Sequence, residues 1–492
     1  MTDNLDLWAV LPMIVLAALI LSLALVIAFF RRLSISCAVA VLGLAVTFAT
    51  IIWLARQTGG PWQVTPLLIV DSYSLLFSGI AILASLLIAL MSYSYQASRG
   101  DHQDEFYLLL LLATLGGMTL AMSAHFASLI LGLELLGVSL YAMISFPSRG
   151  LFSLEAGLKY LILSGVSSAL ILFGIALLYG AFGSLAFGDL NFQQIEPGSD
   201  EHWMTLAGSA LLLAGMAFKL SLVPFHMWTP DVYEGAPAPT TAFLGTVSKA
   251  CIFAVLLRLF INVDGFSDHT LMTGLYWLAV FSILIGNILA LMQTSIKRLL
   301  AYSSTAQLGY LMVAFIAASA LPGRELAVEA AVMFVIAYVL TTLGAFGVVT
   351  LMSVADAEHD TDELSAYVGL FWRRPLLASF MTAMLLSLAG IPLTAGFIGK
   401  FYIFTTGVQN QLWSLLTILV VGSGIGLFYY LRVVYAMARP VDGDDGTATL
   451  NTLPITGSWA LLLVTLVLIG LGVYPTPLVN WVSQMTQELL CC

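Results

Sequence analysis

The sequence predicts an all-α polytopic membrane protein of about fourteen transmembrane helices, built from two inverted five-helix repeats that each contain a broken helix. Three observations lead there. Of 492 residues, 60% are hydrophobic and only 9% charged, whereas a soluble domain carries roughly 25% charged residues. Apolar runs of about 20 residues, the length that crosses a bilayer, recur along the whole chain. Two of these runs hold or adjoin a proline close to a lysine, a combination that a membrane helix carries only at a cost.

The runs fall near 7–30, 33–54, 72–92, 106–123, 125–146, 151–181, 203–222, 240–261, 271–293, 299–320, 327–354, 376–405, 411–438 and 457–484. The first has no basic flank, follows Asp3 and Asp6, and is too long for a signal-peptide core, so it reads as a retained span. Lys and Arg set the orientation. Odd-numbered loops carry Arg31, Arg32, Arg99, Arg149, Lys297, Arg298, Arg373, Arg374 and Arg439, while even-numbered loops carry only Arg56 and Arg324. The odd loops are therefore expected in the cytoplasm and both termini outside. The net charge of −10 argues against nucleic acid as a partner. Cys37, Cys251, Cys491 and Cys492 form no C-x-x-C pair, so neither iron–sulfur nor zinc ligation is expected, and the terminal pair reads as an inert tail. The linkers near 182–202, 355–375 and 439–456 are too short for a nucleotide- or flavin-binding domain. Gly422-Ser423-Gly424-Ile425-Gly426 imitates a dinucleotide loop but lies inside an apolar run, where close helix packing is the expectation.

The lysines carry the chemical signal. There are five: Lys159, Lys219, Lys249, Lys297 and Lys400. Lys297 sits beside Arg298 in a short loop and reads as solvated positive-inside charge. The other four lie in apolar runs, where each costs on the order of 2.5–3.5 kcal/mol. Lys159 begins its run and is equally read as interfacial; Lys219 and Lys249 lie deeper. Glu134, in the middle of Ile130-Leu131-Gly132-Leu133-Glu134-Leu135-Leu136-Gly137, is the matching anion. A carboxylate and a lysine that approach and separate would exchange proton affinity; a static ion pair is the alternative.

The first broken run reads Ala217-Phe218-Lys219-Leu220-Ser221-Leu222-Val223-Pro224-Phe225-His226. Pro224 cannot donate to the Leu220 carbonyl, so the helix is expected to stop just after Lys219. The second reads Gly390-Ile391-Pro392-Leu393-Thr394-Ala395-Gly396-Phe397-Ile398-Gly399-Lys400, where Pro392 frees the Leu388 carbonyl. These are the seventh and twelfth runs. Five spans apart means opposite directions, the arithmetic of an inverted repeat whose paired broken helices mark a transport site. The chain thus divides into a three-helix segment (1–105), a first repeat (106–261), a second (271–438) and a C-terminal helix (457–492). His226 either links lysines through water or satisfies carbonyls freed by the break. His125 begins a span and reads as interfacial, so no haem pair is expected.

Phe218-Lys219 with Pro224-Phe225-His226-Met227-Trp228-Thr229-Pro230-Asp231, then Glu234-Gly235-Ala236-Pro237-Ala238-Pro239-Thr240, resembles the signature of antiporter-like proton-channel subunits. Lys297-Arg298-Leu299-Leu300-Ala301-Tyr302-Ser303-Ser304 resembles a second signature, and Ala389-Gly390-Ile391-Pro392, Gly396-Phe397 and Lys400 a third. The likeness covers most of spans four to thirteen. The family includes large membrane subunits of respiratory NADH–quinone oxidoreductase (complex I), cation/proton antiporter subunits and membrane-bound hydrogenase subunits. Length and a lysine at 400 resemble the subunit N branch of the bacterial enzyme. Gln307 stands where relatives often carry histidine, so a relay role there is in doubt.

The resemblance implies roles by position: Glu134 and Lys219 as the charged pair of a half-channel open to the cytoplasm, Lys249 as the central lysine of a broken eighth segment, Lys400 as the terminal group on the outward route. It implies proton pumping driven by quinone reduction elsewhere in a complex, in the bacterial inner membrane. No cofactor is expected on this chain; NADH, FMN, iron–sulfur clusters and quinone belong to partner subunits. The expected partners are other complex I membrane subunits, among them a second antiporter-like one, and the lipid bilayer. A subunit of a stand-alone multisubunit cation/proton antiporter, or of a membrane-bound hydrogenase, is the competing reading. Co-purifying flavin and iron–sulfur partners would separate the first from the second.

Overall fold

The structure, a computed structural model, describes residues 7–491 apart from 58–59, 101–102, 147–150, 193–194, 197, 264–268, 320–322, 356–359 and 441–453. Asp3, Asp6, Arg149 and Cys492 lie outside the described residues. In chain order the elements are α1 (Leu11–Phe30), α2 (Leu33–Ala55), β1 (Trp62–Thr65), β2 (Leu68–Val70), α3 (Ser72–Ser98), α4 (Glu105–Ala121), α5 (Phe126–Ser145) and α6 (Leu151–Phe182). There follow α7 (Asp200–Lys219), α8 (Thr229–Gly235), α9 (Ala238–Phe243), a π turn (Leu244–Ser248) and α10 (Lys249–Asn262). The second half holds α11 (His269–Leu291), α12 (Ile296–Ala317), α13 (Arg324–Met352), α14 (Leu370–Arg373), α15 (Pro375–Ala389), α16 (Ala395–Gln409) and α17 (Trp413–Ala438); α18 (Ile455–Val473) and α19 (Thr476–Cys491) close the chain.

All fourteen apolar runs are helical. Among the described residues, 11 helical segments are long and apolar enough to cross a membrane. The remaining three runs have visible reasons for falling short. α4 has 17 residues, α7 carries Asp200, Glu201 and Lys219, and the twelfth run is split into α15 and α16 of 15 residues each.

Two features were not anticipated. The β1–β2 hairpin is antiparallel and docks on the α4–α5 corner, where Ile69 N donates to Met122 O at 2.9 Å and Ala124 N to Leu67 O at 3.0 Å. The last run is not one helix, because Pro475 and Pro477 separate α18 from α19. α19 buries Val482, Met485 and Leu489 while Trp481 stays exposed, and it packs on α3 and α13.

Local chemistry sets the helix ends. Asp71 accepts the Ser74 amide at 2.8 Å while Ser74 Oγ takes the Asp71 amide at 3.0 Å, a capping box that starts α3. His125, Ser199 and Ser295 cap α5, α7 and α12. Gly390, at φ +84°, ends α15 in the left-handed region that glycine adopts without strain. Where α11 meets α12, a Cβ on Gly286 would sit 2.8 Å from the Ala306 amide, so only glycine permits that approach. Gly422 likewise faces Ile283 and Asn287 too closely for a side chain, which agrees with the packing reading of the glycine-rich segment in α17.

Burial orders the bundle. The apolar window of 238–262 is wholly buried, as is 94% of that of α12 and 89% of that of α13, against 17% for α1. The Lys249 segment, α12 and α13 therefore form the centre, and α1, α2, α17 and α18 the rim.

Candidate functional site

α7 ends at Lys219, with Leu220 as its C-cap, where Pro224 requires it. Ser221 follows in the left-handed region at φ +61°, an uncommon conformation for a residue with a side chain. Trp228 Nε1 donates at 3.0 Å to the Phe218 carbonyl, which also accepts the Ser221 amide at 2.9 Å. Lys219 is 4% exposed and donates to Ser164 Oγ at 2.5 Å, while Tyr141 OH lies 2.7 Å from the same oxygen.

Lys219 interacts electrostatically with Glu134, but among the described residues Glu134 is in no ion pair. The expected charged pair is thus a through-space relation, and Ser164 takes the direct contact. Ser164 belongs to α6, which packs closely along α7.

Lys249 opens α10 immediately after the π turn. It is 1% exposed and donates to Ser304 Oγ at 2.6 Å. Ser304 in turn meets Tyr338 OH at 2.6 Å, and Tyr338 OH donates to the Gly245 carbonyl at 2.7 Å. That carbonyl lies inside the π turn, so Tyr338 stabilises the irregular backbone that presents Lys249. The Lys249 ammonium also lies 5.5 Å from the Tyr233 ring, within cation–π range. Serine and tyrosine hydroxyls both donate and accept, so Lys249, Ser304 and Tyr338 form one hydrogen-bonded chain that ends on the Gly245 carbonyl.

Lys400 has a different environment. Its Nζ donates to Leu388 O at 2.7 Å, Ala389 O at 3.2 Å and Ser423 Oγ at 3.2 Å. The first is the carbonyl that Pro392 was expected to free. A cation at a helix C-terminus also suits the helix dipole. Gln307 Nε2 shares the Leu388 carbonyl at 3.0 Å and reaches Tyr430 OH at 3.3 Å, and Tyr430 bonds to Ser303. A small cavity beside Lys400 is lined by Gln307, Tyr338, Thr341 and Ser387 among others.

His226 is 5% exposed, and neither ring nitrogen has a hydrogen-bond partner in the protein. Its ring centre lies 6.3 Å from that of Tyr302. Ser221, Thr229 and Tyr233 place further buried hydroxyls without partners on the same stretch between Lys219 and Lys249. Lys159, by contrast, is 42% exposed and paired with Glu155 at 2.8 Å and Asp231 at 2.9 Å, the interfacial arrangement. Arg298 joins the same surface cluster through Asp231 and Glu234.

Lys297 corrects the sequence reading. It is not solvated but 1% exposed, with all three donors used: Asp360 at 2.8 Å and the carbonyls of Glu234 and Ala236 at 2.7 Å each. Asp360 also accepts from Arg99 at 2.7 Å, Tyr95 OH at 2.8 Å and the Ala238 amide at 2.9 Å. Burial alone would raise its pKa, but the charges of Lys297 and Arg99 and the hydrogen bonds from Lys297 and Tyr95 prevail and hold it below the ordinary carboxylate value. The partner comes from a loop 63 residues away, a distance that no local pattern spans.

Residues 123–426 match the family described as NADH:quinone oxidoreductase/Mrp antiporter, transmembrane. NADH-quinone oxidoreductase subunit N of Methylococcus capsulatus (strain ATCC 33009 / NCIMB 11132 / Bath) is 46% identical over 479 residues, 97% of this chain and 95% of that protein. The chain belongs to this family, in its subunit N branch.

Among solved structures, a chain of respiratory complex I from Thermus thermophilus superposes with TM-score 0.79 at 32% identity, covering 96% of this subunit N-type chain and 99% of that one. Chains of an archaeal membrane-bound sulfane sulfur reductase (TM-score 0.85, 24% identity; 98% and 97% covered) and of the Mrp complex from Dietzia sp. DQ12-45-1b (0.83, 18%; 99% and 98%) share the fold.

Sequence reasoning missed Ser164, Tyr141, Tyr338 and Asp360. Ser304 and Tyr338 carried a weak signal, polar residues inside apolar runs, but serine and tyrosine are too common there to single out.

Proposed function

We propose that protons cross this membrane subunit of NADH–quinone oxidoreductase along its buried lysines. It is an antiporter-like, proton-translocating subunit that works with the other subunits of complex I. In the proposed path Lys219 receives a proton from the cytoplasmic side, with Glu134 biasing its charge through space. Lys249 carries the proton across the centre through Ser304 and Tyr338. Lys400 releases it outward. His226 and the hydroxyls of Ser221, Thr229 and Tyr233 offer sites for bridging water between the first two lysines. Lys159 stands at the cytoplasmic mouth, paired to Asp231.

The observation that carries this reading is the pair of lysine–hydroxyl contacts, Lys219 to Ser164 and Lys249 to Ser304. A structural cation at such depth would be expected on a carboxylate; each of these is on a group that can pass a proton. The two repeats at 106–261 and 271–438, inverted about the membrane plane, would give one half-channel to each face. The excess of Lys and Arg in odd-numbered loops supports cytoplasmic odd loops and periplasmic termini in the bacterial inner membrane. Flavin, iron–sulfur clusters and the quinone site belong, on this reading, to partner subunits, one of them a second antiporter-like chain.

Lys249→Arg tests the path. Arginine keeps the charge but does not release a proton in proteins. The assembled complex should retain its composition and lose most proton pumping, read as acidification of vesicle interiors during NADH oxidation. Wild-type pumping in that variant would make Lys249 a structural cation.

A further inference from the structure

The helix that bears Lys249 is irregular just before that residue. A π turn adds a residue to the helical register and is a place where a helix can slip. What fixes the register is found at the two ends of the segment. At the far end, Arg258, 2% exposed, donates with both terminal nitrogens to the two oxygens of Asp71, at 2.8 Å each. It lies 4.9 Å from the ring of Tyr73, whose hydroxyl donates to the Ala254 carbonyl at 2.8 Å. At the near end, Ala238 starts the segment and its amide donates to Asp360, which Tyr95 and Arg99 hold from one side and Lys297 of α12 from the other.

Asp71 is the N-cap of α3, Tyr95 lies in its last turn, and Arg99 is its C-cap. Both anchors therefore include one helix of 27 residues, about 40 Å long at 1.5 Å per residue, with Lys297 of α12 sharing the second. α3 runs antiparallel to the Lys249 segment and touches α9, the π turn and α10 along the way.

We propose that α3 is a strut that positions Lys249: Asp71 at its start and the Tyr95–Arg99–Asp360 group at its end clamp both ends of the 238–262 segment and set where the π turn lies. Buried ion pairs are weak contributors to stability, and apolar residues often replace them without loss. A chain with 9% charged residues that places one at each end of the same helix gains register. Asp71, Arg258, Arg99 and Asp360 are positioning residues here; none touches the lysine. The proposal rests on Lys249 as the proton carrier, and the experiment separates the two.

The purified complex carrying Arg99→Gln, Arg258→Gln or both is assayed for proton pumping and for amide hydrogen exchange over residues 238–262. With either clamp intact the other still holds the register, so each single change is mild. Loss of both should raise exchange at 244–248 and lower pumping by more than about twofold beyond the product of the single effects, since independent sites add within that margin. Unchanged exchange at 244–248, or single effects that simply multiply, overturns the strut whatever Lys249→Arg does. Raised exchange with full pumping overturns its positioning role. Should the double variant fail to assemble, Arg99→Lys combined with Arg258→Gln decides: assembly with exchange and pumping equal to Arg258→Gln alone supports the charged clamp, and failure to assemble or a further rise in exchange at 244–248 overturns it. Full pumping in Lys249→Arg would remove the carrier and leave the exchange result standing.

Discussion

The two broken helices look alike as text, an embedded lysine beside a proline, yet the lysines make different bonds. In the first break the Ser221 amide and Trp228 serve the Phe218 carbonyl, and Lys219 donates to a hydroxyl. In the second the lysine itself is the cap, on Leu388 and Ala389. A hydroxyl accepts and donates and can pass a proton on; a carbonyl only accepts. On the proposed path this difference would make Lys219 a link and Lys400, two of whose three contacts are carbonyls, an end point.

Lysine removal should separate the two most strongly. Both Lys219→Ala and Lys400→Ala are expected to abolish most pumping. Only Lys400→Ala should also weaken the fold, by ~1 kcal/mol, because the Ala389 carbonyl loses its side-chain donor while Gln307 still serves Leu388. Thermal denaturation of the two assembled variants reads this directly, and equal stability would erase the distinction.

The serines give the next contrast. Ser164→Ala removes the direct acceptor of Lys219 and the partner of Tyr141, so pumping should fall on the order of tenfold or more, the scale of a lost proton-transfer group. Ser423→Ala removes one contact of three from Lys400 and should change pumping little. Equal losses in initial pumping rate would argue that hydroxyls do the same work at both breaks.

The smallest effect concerns neither break but the ledge between α8 and α9. Asp360 is held below its unfolded pKa, so its stabilising contribution is complete above that unfolded value, about 3.9, and is lost as pH falls through the folded value. Wild-type stability should therefore drop on acidification below about pH 4, and Asp360→Asn should flatten that part of the curve. An unchanged acid limb in Asp360→Asn would remove Asp360 as its source.

How much was legible follows from range. Lysine in an apolar run is improbable enough on energetic grounds to stand out without a fold, and proline ends a helix wherever it lies; so Lys219, Lys249, Lys400 and both breaks could be read directly. The sequence even named the carbonyl that Lys400 occupies, since Pro392 and Leu388 are joined by helical geometry. The hairpin at 62–70 was missed because it is too short to show a period against its neighbours.

What the sequence by itself determined is thus everything governed by cost along one segment: spans, breaks and the residues too expensive to be incidental. Partners were decided only by the tertiary structure. Lys297 reads as a solvated loop charge until a loop 63 residues away brings Asp360 to it; Lys219 seems destined for Glu134 until α6 places Ser164 nearer. The physical reason is that desolvation acts on each residue alone, while a hydrogen bond needs two groups within about 3 Å, and only the packing of distant helices sets that distance.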